Sequence, residues 1–215
     1  FGQPKGREIR NGETVGIDTL IYSVSEIEKI TRLAFQAAMT RRKKLCSVDK
    51  ANVLCTSILW RETVNRVAAE FPEVAVEHIY IDNATMQLLR QPQNFDVLLC
   101  DNMFGDILSD EAAMLTGSIG MLASASIGEN NFGLYEPSGG SAPDIAGKNI
   151  ANPIAQILSV ALMFKYTYRR LDIFDAVNNA VVKILDAGYR TTDIMSPNCK
   201  QVNTIEMGKL ITNAL

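Results

Sequence analysis

The chain has 215 residues, of which 47% are hydrophobic and 21% are charged, and its formal net charge is −3 at pH 7. This composition is typical of a globular protein and allows one large domain or parts of two. The acidic balance argues against a nucleic-acid-binding surface. The sequence contains no apolar run of about 18 residues and no signal-peptide pattern, so we expect no membrane association. Because the chain begins with Phe1, we expect a fragment or a processed form of a longer protein.

Cysteine usage indicates the redox compartment. The four cysteines form no CxxC pair, and three of them lie in apolar surroundings. This pattern favours reduced thiols in a cytoplasmic protein over disulfides or a zinc site. The residues concerned are Cys46, Cys55, Cys100 and Cys199.

The N-terminal part of the chain indicates an arm followed by a helix. Phe1 to Gly16 is rich in glycine and charge, which indicates a loop or an exposed arm, and Ile17 to Tyr22 is a candidate strand of that arm. Ser25 with Glu28 predicts a capping box at the start of the helix. The helix ends in the basic run at 41–44, which we interpret as a complement to the negative helix terminus rather than a binding patch.

Strand and helix patterns then alternate, which predicts an α/β fold. Trp60 to Phe71 shows helical spacing and is stopped by Pro72. Lys50, Asp82 and the segment 101–106 follow the ends of predicted strands, at the sheet edge where open α/β folds bind ligands. The predicted strands are Leu45 to Val48, Val76 to Ile81 and Val97 to Leu99. His78, the only histidine, falls within a strand pattern, so we interpret it as a packing residue.

An acidic pair follows the third of these strands. Asp101 to Gly105 has turn chemistry, and a helix is predicted from Asp106. Asp106 and Asp110 then project from one face near its positive N-terminal end. Carboxylates without nearby His or Cys suit a hard cation, Mg²⁺ or Mn²⁺. First-turn acids on an ordinary solvated helix explain the same spacing.

The composition shifts toward Gly, Ser and Ala after Gly117, which indicates a crossing between domains. The segment 135–152 is too rich in Gly, Pro and Ser for regular structure, and it leads to a helix with Asn152 as N-cap and Pro153 at the first position. Such a loop can bind phosphates through backbone N–H groups, although a plain surface loop fits the same pattern. Three helices are predicted beyond it: 153–168, 171–187, and one capped by Asn203 and Glu206 that ends near 214.

Four motifs in the same order make the sequence similar to the 3-isopropylmalate dehydrogenases, which belong to the decarboxylating β-hydroxyacid dehydrogenases. The motifs are SVDKANVL at 47–54, YIDNA at 80–84, NMFGDILSD at 102–110 and EPSGGSAPDIAG at 136–147. The resemblance implies the two-domain fold of that family, a central mixed sheet flanked by helices, with the N-terminal part missing. It assigns 1–117 to the small domain and 118–215 to the C-terminal part of the large NAD-binding domain.

The resemblance also gives roles to the acids and to the lysine. Asp82, Asp106 and Asp110 match the family's Mg²⁺ or Mn²⁺ ligands, and Asp82 also lies near the substrate. Lys50 matches the residue that accepts the substrate's hydroxyl proton as hydride leaves for the nicotinamide. Lys50 and Asp82 are thus the implied catalytic and substrate-binding residues.

The cofactor loop is implied by the same resemblance. Its residues are Gly140, Ser141, Ala142, Pro143, Asp144, Ile145, Ala146, Gly147, Lys148, Asn149, Ile150, Ala151 and Asn152. Asp144 would bind the ribose hydroxyls of NAD and repel a 2′-phosphate. NADP-dependent relatives have Lys-Tyr at this place, so the sequence predicts NAD. Gly139 stands where some members of the family have His, and others retain Gly.

The implied activity is oxidative decarboxylation of 3-isopropylmalate to 4-methyl-2-oxopentanoate, with reduction of NAD⁺, in leucine biosynthesis. The family is homodimeric, with the arm at 1–22 pairing with its partner and each active site shared. Lys50 and Asp82 would then face Asp106 and Asp110 of the partner subunit. The family's substrate arginines and its Tyr before Phe-Gly-x-Pro belong to the missing part.

Three alternatives stay open at this point. The fragment could be only a non-catalytic dimerisation or nucleotide-binding piece. The parent enzyme could act on isocitrate, homoisocitrate or tartrate. A Mg²⁺-dependent phosphohydrolase explains the clustered acids, but it leaves Lys50 and the loop without a role.

Overall fold

The computed structural model describes residues 2–128, 130 and 132–215. The chain forms two compact units, one ending at Ser109 and the other spanning Asp110–Leu215. Helices, a parallel sheet and antiparallel strand pairs confirm the α/β class. Across the described ranges, no helix is both long enough and apolar enough to cross a bilayer.

The strands and helices follow one another along the chain. The strands are β1 (Gly2–Arg10), β2 (Glu13–Thr19), β3 (Lys44–Asp49), β4 (Ala75–Tyr80), β5 (Val97–Leu99), β6 (Ser126–Ile127), β7 (Gly133–Leu134), β8 (Tyr189–Arg190) and β9 (Lys200–Gln201). The α-helices are α1 (Val24–Met39), α2 (Cys55–Ala68), α3 (Ile81–Arg90), α4 (Asn102–Leu115), α5 (Ile154–Tyr166), α6 (Leu171–Asp186) and α7 (Thr204–Ala214).

The predicted arm is an antiparallel hairpin of β1 and β2. Asn11 and Gly12 have φ values of 52° and 82°, which suits the tight turn between two paired strands. Most residues of both strands are exposed. The arm is therefore regular structure rather than a loop, and its second strand is 13–19 rather than 17–22.

The first unit is built on a parallel sheet with the strand order β4-β3-β5. Helices α1 and α2 cover it with a core that includes Phe35, Leu45 and Trp60. α1 starts earlier than the predicted Ser25 box, because Ser23 is the N-cap. Its Oγ accepts from the N–H of Glu26 at 3.3 Å, and the Glu26 carboxylate accepts from the N–H of Ser23 at 2.7 Å.

The basic run after α1 does not complement the helix terminus, so that interpretation is wrong. α1 ends at Met39 and has no basic residue in its last turn. Arg41 Nε and the backbone N–H of Arg42 instead donate to the buried carboxylate of Asp96, at 2.9 and 2.8 Å. Lys43 forms an ion pair with Glu73. These contacts link the segments that precede β3, β4 and β5 at one end of the sheet.

α3 is a helix that the sequence analysis did not predict. β4 spans Ala75–Tyr80, and α3 begins at the next residue, Ile81, so the predicted strand, Val76 to Ile81, both began and ended one residue too late. Ala84 and Leu88 form the buried side of α3. Asp82 therefore lies in the first turn of a helix rather than in a loop.

In the second unit, α5, α6 and α7 enclose a core of Ile154, Val181, Met207 and their neighbours. α5 starts at Ile154 and ends at Tyr166, within the predicted 153–168, but its N-cap is Pro153, without a side-chain capping bond, so the prediction of Asn152 as N-cap and Pro153 as first helical residue is wrong. The capping box of Asn203 and Glu206 at the start of α7 is confirmed. The assignment of 1–117 and 118–215 to functional domains stays a prediction.

Candidate active site

Lys50 and Asp82 form an ion pair where two parallel strands end. Lys50 directly follows β3, and Asp82 lies in the first turn of α3, directly after β4. Lys50 Nζ donates to Asp82 Oδ1 at 2.6 Å. The hydrogen bond from Lys50 lowers the pKa of the Asp82 carboxyl below its usual value of 3.8. The side chains are 27% and 62% exposed, respectively, so a small molecule can reach them.

The backbone around Lys50 is fixed on both sides of its Cα. Its N–H donates to Ser57 Oγ at 3.1 Å. Its carbonyl accepts from the N–H groups of Val53 and Leu54, each at 2.9 Å. Three backbone hydrogen bonds of Lys50 thus hold the turn after β3. They fix the position of its Cα, from which the side chain extends.

Asp49, which the sequence analysis did not single out, is a buried carboxylate beside this turn. Its side chain is 1% exposed and accepts from Arg61 Nε at 2.8 Å and from Arg61 Nη2 at 2.9 Å. Asp49 Oδ1 also accepts from the N–H of Ala51 at 2.9 Å. A sequence signal was available: an acid at the end of a buried strand requires a cationic partner on the helix that covers it.

His78 has the packing role that its strand position indicated. Its Nε2 lies 2.7 Å from Asn65 Oδ1, and its Nδ1 lies 3.9 Å from Asp49 Oδ2. Burial lowers the pKa of His78 below 6.5, Arg61 lowers it further, and Asp49 opposes the shift. The imidazole is therefore neutral near pH 7.

α4 begins four residues before the predicted start at Asp106, so that boundary was wrong. Asp101 is buried, and its Oδ1 accepts from the N–H of Phe104 at 2.9 Å, as an N-cap does. Burial raises the pKa of Asp101. The turn residues at 101–105 are thus the cap and the first turn of the helix.

Asp106 and Asp110 are exposed on the face of α4 opposite the buried Phe104 and Leu108. They lie in the second and third turns, where the helix dipole no longer favours acids. Like charges four residues apart on a helix repel each other. An added cation would relieve this repulsion, and the all-oxygen donor set suits Mg²⁺ or Mn²⁺.

No metal site is complete within the described part of this single chain. Among residues 2–128, 130 and 132–215, no three His, Cys, Asp or Glu side chains gather as metal ligands. The structure brings Asp82 to Lys50 and places Asp106 and Asp110 on α4. A site of Asp82, Asp106 and Asp110 stays a prediction.

The segment 140–152 is a series of turns without regular structure. Ala142, Gly147 and Asn149 have positive φ values of 42°, 74° and 56°. Ile145 and Lys148 close successive turns by donating to Ala142 and Ile145 at 3.1 Å. Most of the segment is exposed, including Asp144, whereas the N–H groups of Ile145, Ala146 and Lys148 are engaged in its turns.

The C-terminal end of this loop is anchored to the second unit's helices. Asn152 Oδ1 accepts from the N–H of Ile154 at 3.0 Å, and Asn152 Nδ2 donates to Asp193 Oδ2 at 3.0 Å. Gly120 permits this arrangement, since an added Cβ would lie 2.8 Å from the Cβ of Asn152. Burial alone would raise the pKa of Asp193, but hydrogen bonds from Asn152 and other side chains lower it.

Solved structures place the chain among decarboxylating dehydrogenases. The isocitrate dehydrogenase of Methylococcus capsulatus is 38% identical with a TM-score of 0.82, covering 94% of this chain and 58% of that one. A β-decarboxylating dehydrogenase of Thermococcus kodakarensis is 36% identical with a TM-score of 0.82, covering 98% and 60%. The model of the family described as isocitrate/isopropylmalate dehydrogenase matches residues 1–211, and the chain belongs to this family.

Curated relatives are more similar still. The proteins named 3-isopropylmalate dehydrogenase from Geobacter metallireducens and from Haemophilus influenzae are each 62% identical over the whole of this chain. The chain spans 60% of the length of each. The family resemblance seen in the four sequence motifs is thereby confirmed.

Proposed function

We propose that the protein containing this chain catalyses the NAD⁺-dependent oxidative decarboxylation of 3-isopropylmalate to 4-methyl-2-oxopentanoate in leucine biosynthesis. We choose this substrate because the chain is 62% identical to proteins named 3-isopropylmalate dehydrogenase. The isocitrate dehydrogenase is only 38% identical. We expect a cytoplasmic protein, because the four cysteines in the sequence form no CxxC pair.

Lys50 supplies the base of the proposed reaction. Lys50 would act in its neutral form: after its ammonium group has lost a proton, the Nζ lone pair would accept the proton of the substrate hydroxyl. Asp82 Oδ1, 2.6 Å from Nζ, holds the side chain where the two strands end. Both residues would bind the substrate. When bound, Mg²⁺ or Mn²⁺ would supply Lewis-acid stabilisation of negative charge, and NAD⁺ would supply the hydride acceptor.

Asp82, Asp106 and Asp110 would hold the metal, the first from one subunit and the other two from its partner in a homodimer. The exposed positions of all three support this arrangement.

Mixing a Lys50→Ala protein with an Asp106→Ala protein should restore activity, because mixed dimers contain one intact site. Mixed dimers that stay inactive would refute the shared site.

The loop from Gly140 to Asn152 would bind NAD through its exposed backbone. Asp144 would accept hydrogen bonds from the adenosine ribose and repel a 2′-phosphate. Replacing Asp144 with Ala should lower kcat/KM for NAD⁺ and raise the preference for NADP⁺ about tenfold, the equivalent of about 1.4 kcal/mol. An unchanged ratio of the two kcat/KM values would remove Asp144 from coenzyme selection.

The substrate is decided by steady-state assays of the natural full-length protein. We expect 3-isopropylmalate to give a higher kcat/KM than isocitrate, homoisocitrate or tartrate, with NAD⁺ and Mg²⁺ or Mn²⁺ present. A higher value for any of the other three acids contradicts the proposal.

The 215-residue chain by itself has a narrower candidate function, as a dimerisation or nucleotide-binding piece. It spans only 60% of the length of its relatives, which favours this role for the isolated chain. An NADH-absorbance assay on the isolated chain should show no turnover, whereas the full-length protein should be active.

A further inference from the structure

Arg61 connects the two strand ends that carry Lys50 and Asp82. Asp49 and Tyr80, the last residues of β3 and β4, are direct partners in the parallel ladder. Arg61, on α2, donates to the Asp49 carboxylate at 2.8 and 2.9 Å. The same guanidinium carbon lies 5.2 Å from the centroid of the Tyr80 ring. One side chain therefore contacts both ladder partners.

Each end of this connection is next to a residue of the candidate active site. Lys50 follows Asp49 directly, and Asp82 lies two residues after Tyr80. Asp49 also accepts from the N–H of Ala51 at 2.9 Å, so its carboxylate holds the backbone on the far side of Lys50. A shift of Arg61 would move the end of β3, the start of α3, or both.

The contacts of Arg61 require a guanidinium. Asp49 is buried, and an uncompensated buried carboxylate is costly. The planar fork of arginine binds both carboxylate oxygens while its guanidinium carbon lies over the Tyr80 ring, and the ammonium group of a lysine cannot do both. His78 does not substitute for it, because its nearest nitrogen is 3.9 Å from Asp49.

We propose that Arg61 is a positioning residue: by contacting both Asp49 and Tyr80, it sets the spacing between Lys50 and Asp82. Its effect on turnover rests on the proposed function, whereas its effect on the geometry of the Lys50–Asp82 pair does not. Arg61 acts through Asp49 and Tyr80 and has no contact with the reacting atoms in this mechanism.

Arg41 provides a matched control at the opposite end of the same sheet. Arg41 Nε donates to the carboxylate of Asp96, whose side chain is 2% exposed, at 2.9 Å. Asp96 also accepts from a backbone N–H, that of Arg42, as Asp49 does from Ala51. Arg41→Lys thus weakens an ion pair to a buried carboxylate away from the Lys50 turn, although Asp96 is also approached by Arg42 Nε at 3.6 Å.

The test uses the natural full-length protein and compares Arg61→Lys with Arg41→Lys. Misplacing catalytic groups by about 1 Å can cost about 100-fold in rate, so we expect Arg61→Lys to lower kcat 10- to 100-fold, roughly. The KM for NAD⁺ should stay unchanged, and Arg41→Lys should keep the wild-type kcat. Tyr80→Leu should lower kcat, and Tyr80→Phe should retain it because the ring face is kept.

Crystal structures of both variants provide a measurement independent of turnover. In Arg61→Lys the distance from Lys50 Nζ to Asp82 Oδ1 should exceed the hydrogen-bond limit of about 3.5 Å, and in Arg41→Lys it should not. A retained pair in Arg61→Lys, or an equal loss of kcat in Arg41→Lys, overturns the proposal. If Arg61→Lys does not fold, equal kcat values for Tyr80→Leu and Tyr80→Phe overturn it instead. Inactivity of the wild-type protein on all four acids refutes the proposed function only, since the distance comparison still tests Arg61.

Discussion

The Lys50–Asp82 pair and the loop at 140–152 are candidate binding regions built in different ways. The pair consists of two side chains, and the strand register and the contacts of Arg61 fix where they start. The loop offers mainly backbone groups, and its end is held by the side chain of Asn152. One substitution in the pair should therefore lower kcat. One substitution in the loop should instead change the affinity for NAD⁺ and the free energy of unfolding.

Replacing Lys50 with Met should have the largest effect. Loss of a general base lowers rates by about 10²- to 10⁴-fold, so kcat of the full-length protein should fall within that range. The KM for NAD⁺ should remain at its wild-type value, because the loop is untouched. Lys44→Met, at the exposed other end of β3, is the control and should keep kcat. A decrease of less than tenfold in Lys50→Met would remove Lys50 from the proton transfer.

Replacing Asn152 with Ala should have an intermediate effect, on affinity rather than on kcat. The substitution removes the hydrogen bond that Asn152 Oδ1 accepts from the N–H of Ile154, the first residue of α5, and the hydrogen bond that Asn152 donates to Asp193. Loss of a side-chain hydrogen bond to a helix-terminal N–H costs about 1 kcal/mol of unfolding free energy, and the disordered loop end should raise the KM for NAD⁺. The measurements are thermal unfolding and steady-state kinetics with the NAD⁺ concentration varied.

Ser23→Ala is the matched control for Asn152→Ala. Ser23 caps α1 through its Oγ, so its loss should cost a similar free energy without changing the KM for NAD⁺. If both variants leave the KM for NAD⁺ unchanged, the loop end has no role in coenzyme binding, and the contrast between the two regions fails.

The smallest effect concerns the titration of Asp82. Its pKa is lowered in the folded protein, chiefly by the hydrogen bond from Lys50. The pair therefore contributes stability above the usual carboxyl pKa, and this contribution disappears as the pH falls through the lowered value. Because Asp82 is largely exposed, the change in unfolding temperature should be slight.

Carboxyl NMR titration measures this pKa directly. In Lys50→Met the pKa of Asp82 should rise toward 3.8. The pKa of Asp172, which Arg170 lowers to about 2, should not change and serves as an internal reference. An unchanged pKa of Asp82 would show that the ion pair with Lys50 is absent in solution.

The sequence was sufficient where one local pattern determined the structure. The apolar runs at 45–48 and 97–99 were confirmed as strands, and Asn203 with Glu206 was confirmed as a cap. The nearness of Lys50 and Asp82 followed from their positions after neighbouring strands. Those inferences needed only periodicity, caps and the rule that parallel strands end at one edge.

The sequence was insufficient where a helix began without a recognisable N-cap signal, and where contacts between distant residues determined the local structure. α3 follows β4 without a loop, and its N-cap Tyr80 makes no side-chain capping bond. At α4, Asn102 and Gly105 resemble turn residues, but the Asp101 cap makes them helical. The contact of Arg61 with Asp49 joins residues 12 positions apart, on a helix and a strand; the buried acid indicates that a cationic partner is needed, but no local pattern indicates which residue supplies it.

The exposed hairpin of β1 and β2 has a consequence for how the protein responds to dilution. A two-stranded ribbon is marginally stable in water by itself, and Ile9 in this one is 69% exposed. If the proposed homodimer covers the arm, its order depends on mass action. Limited proteolysis should then cut the arm faster as the protein is diluted, while the sheet of the first unit stays protected. Cleavage of the arm would therefore detect dissociation of the dimer before the core of either subunit unfolds.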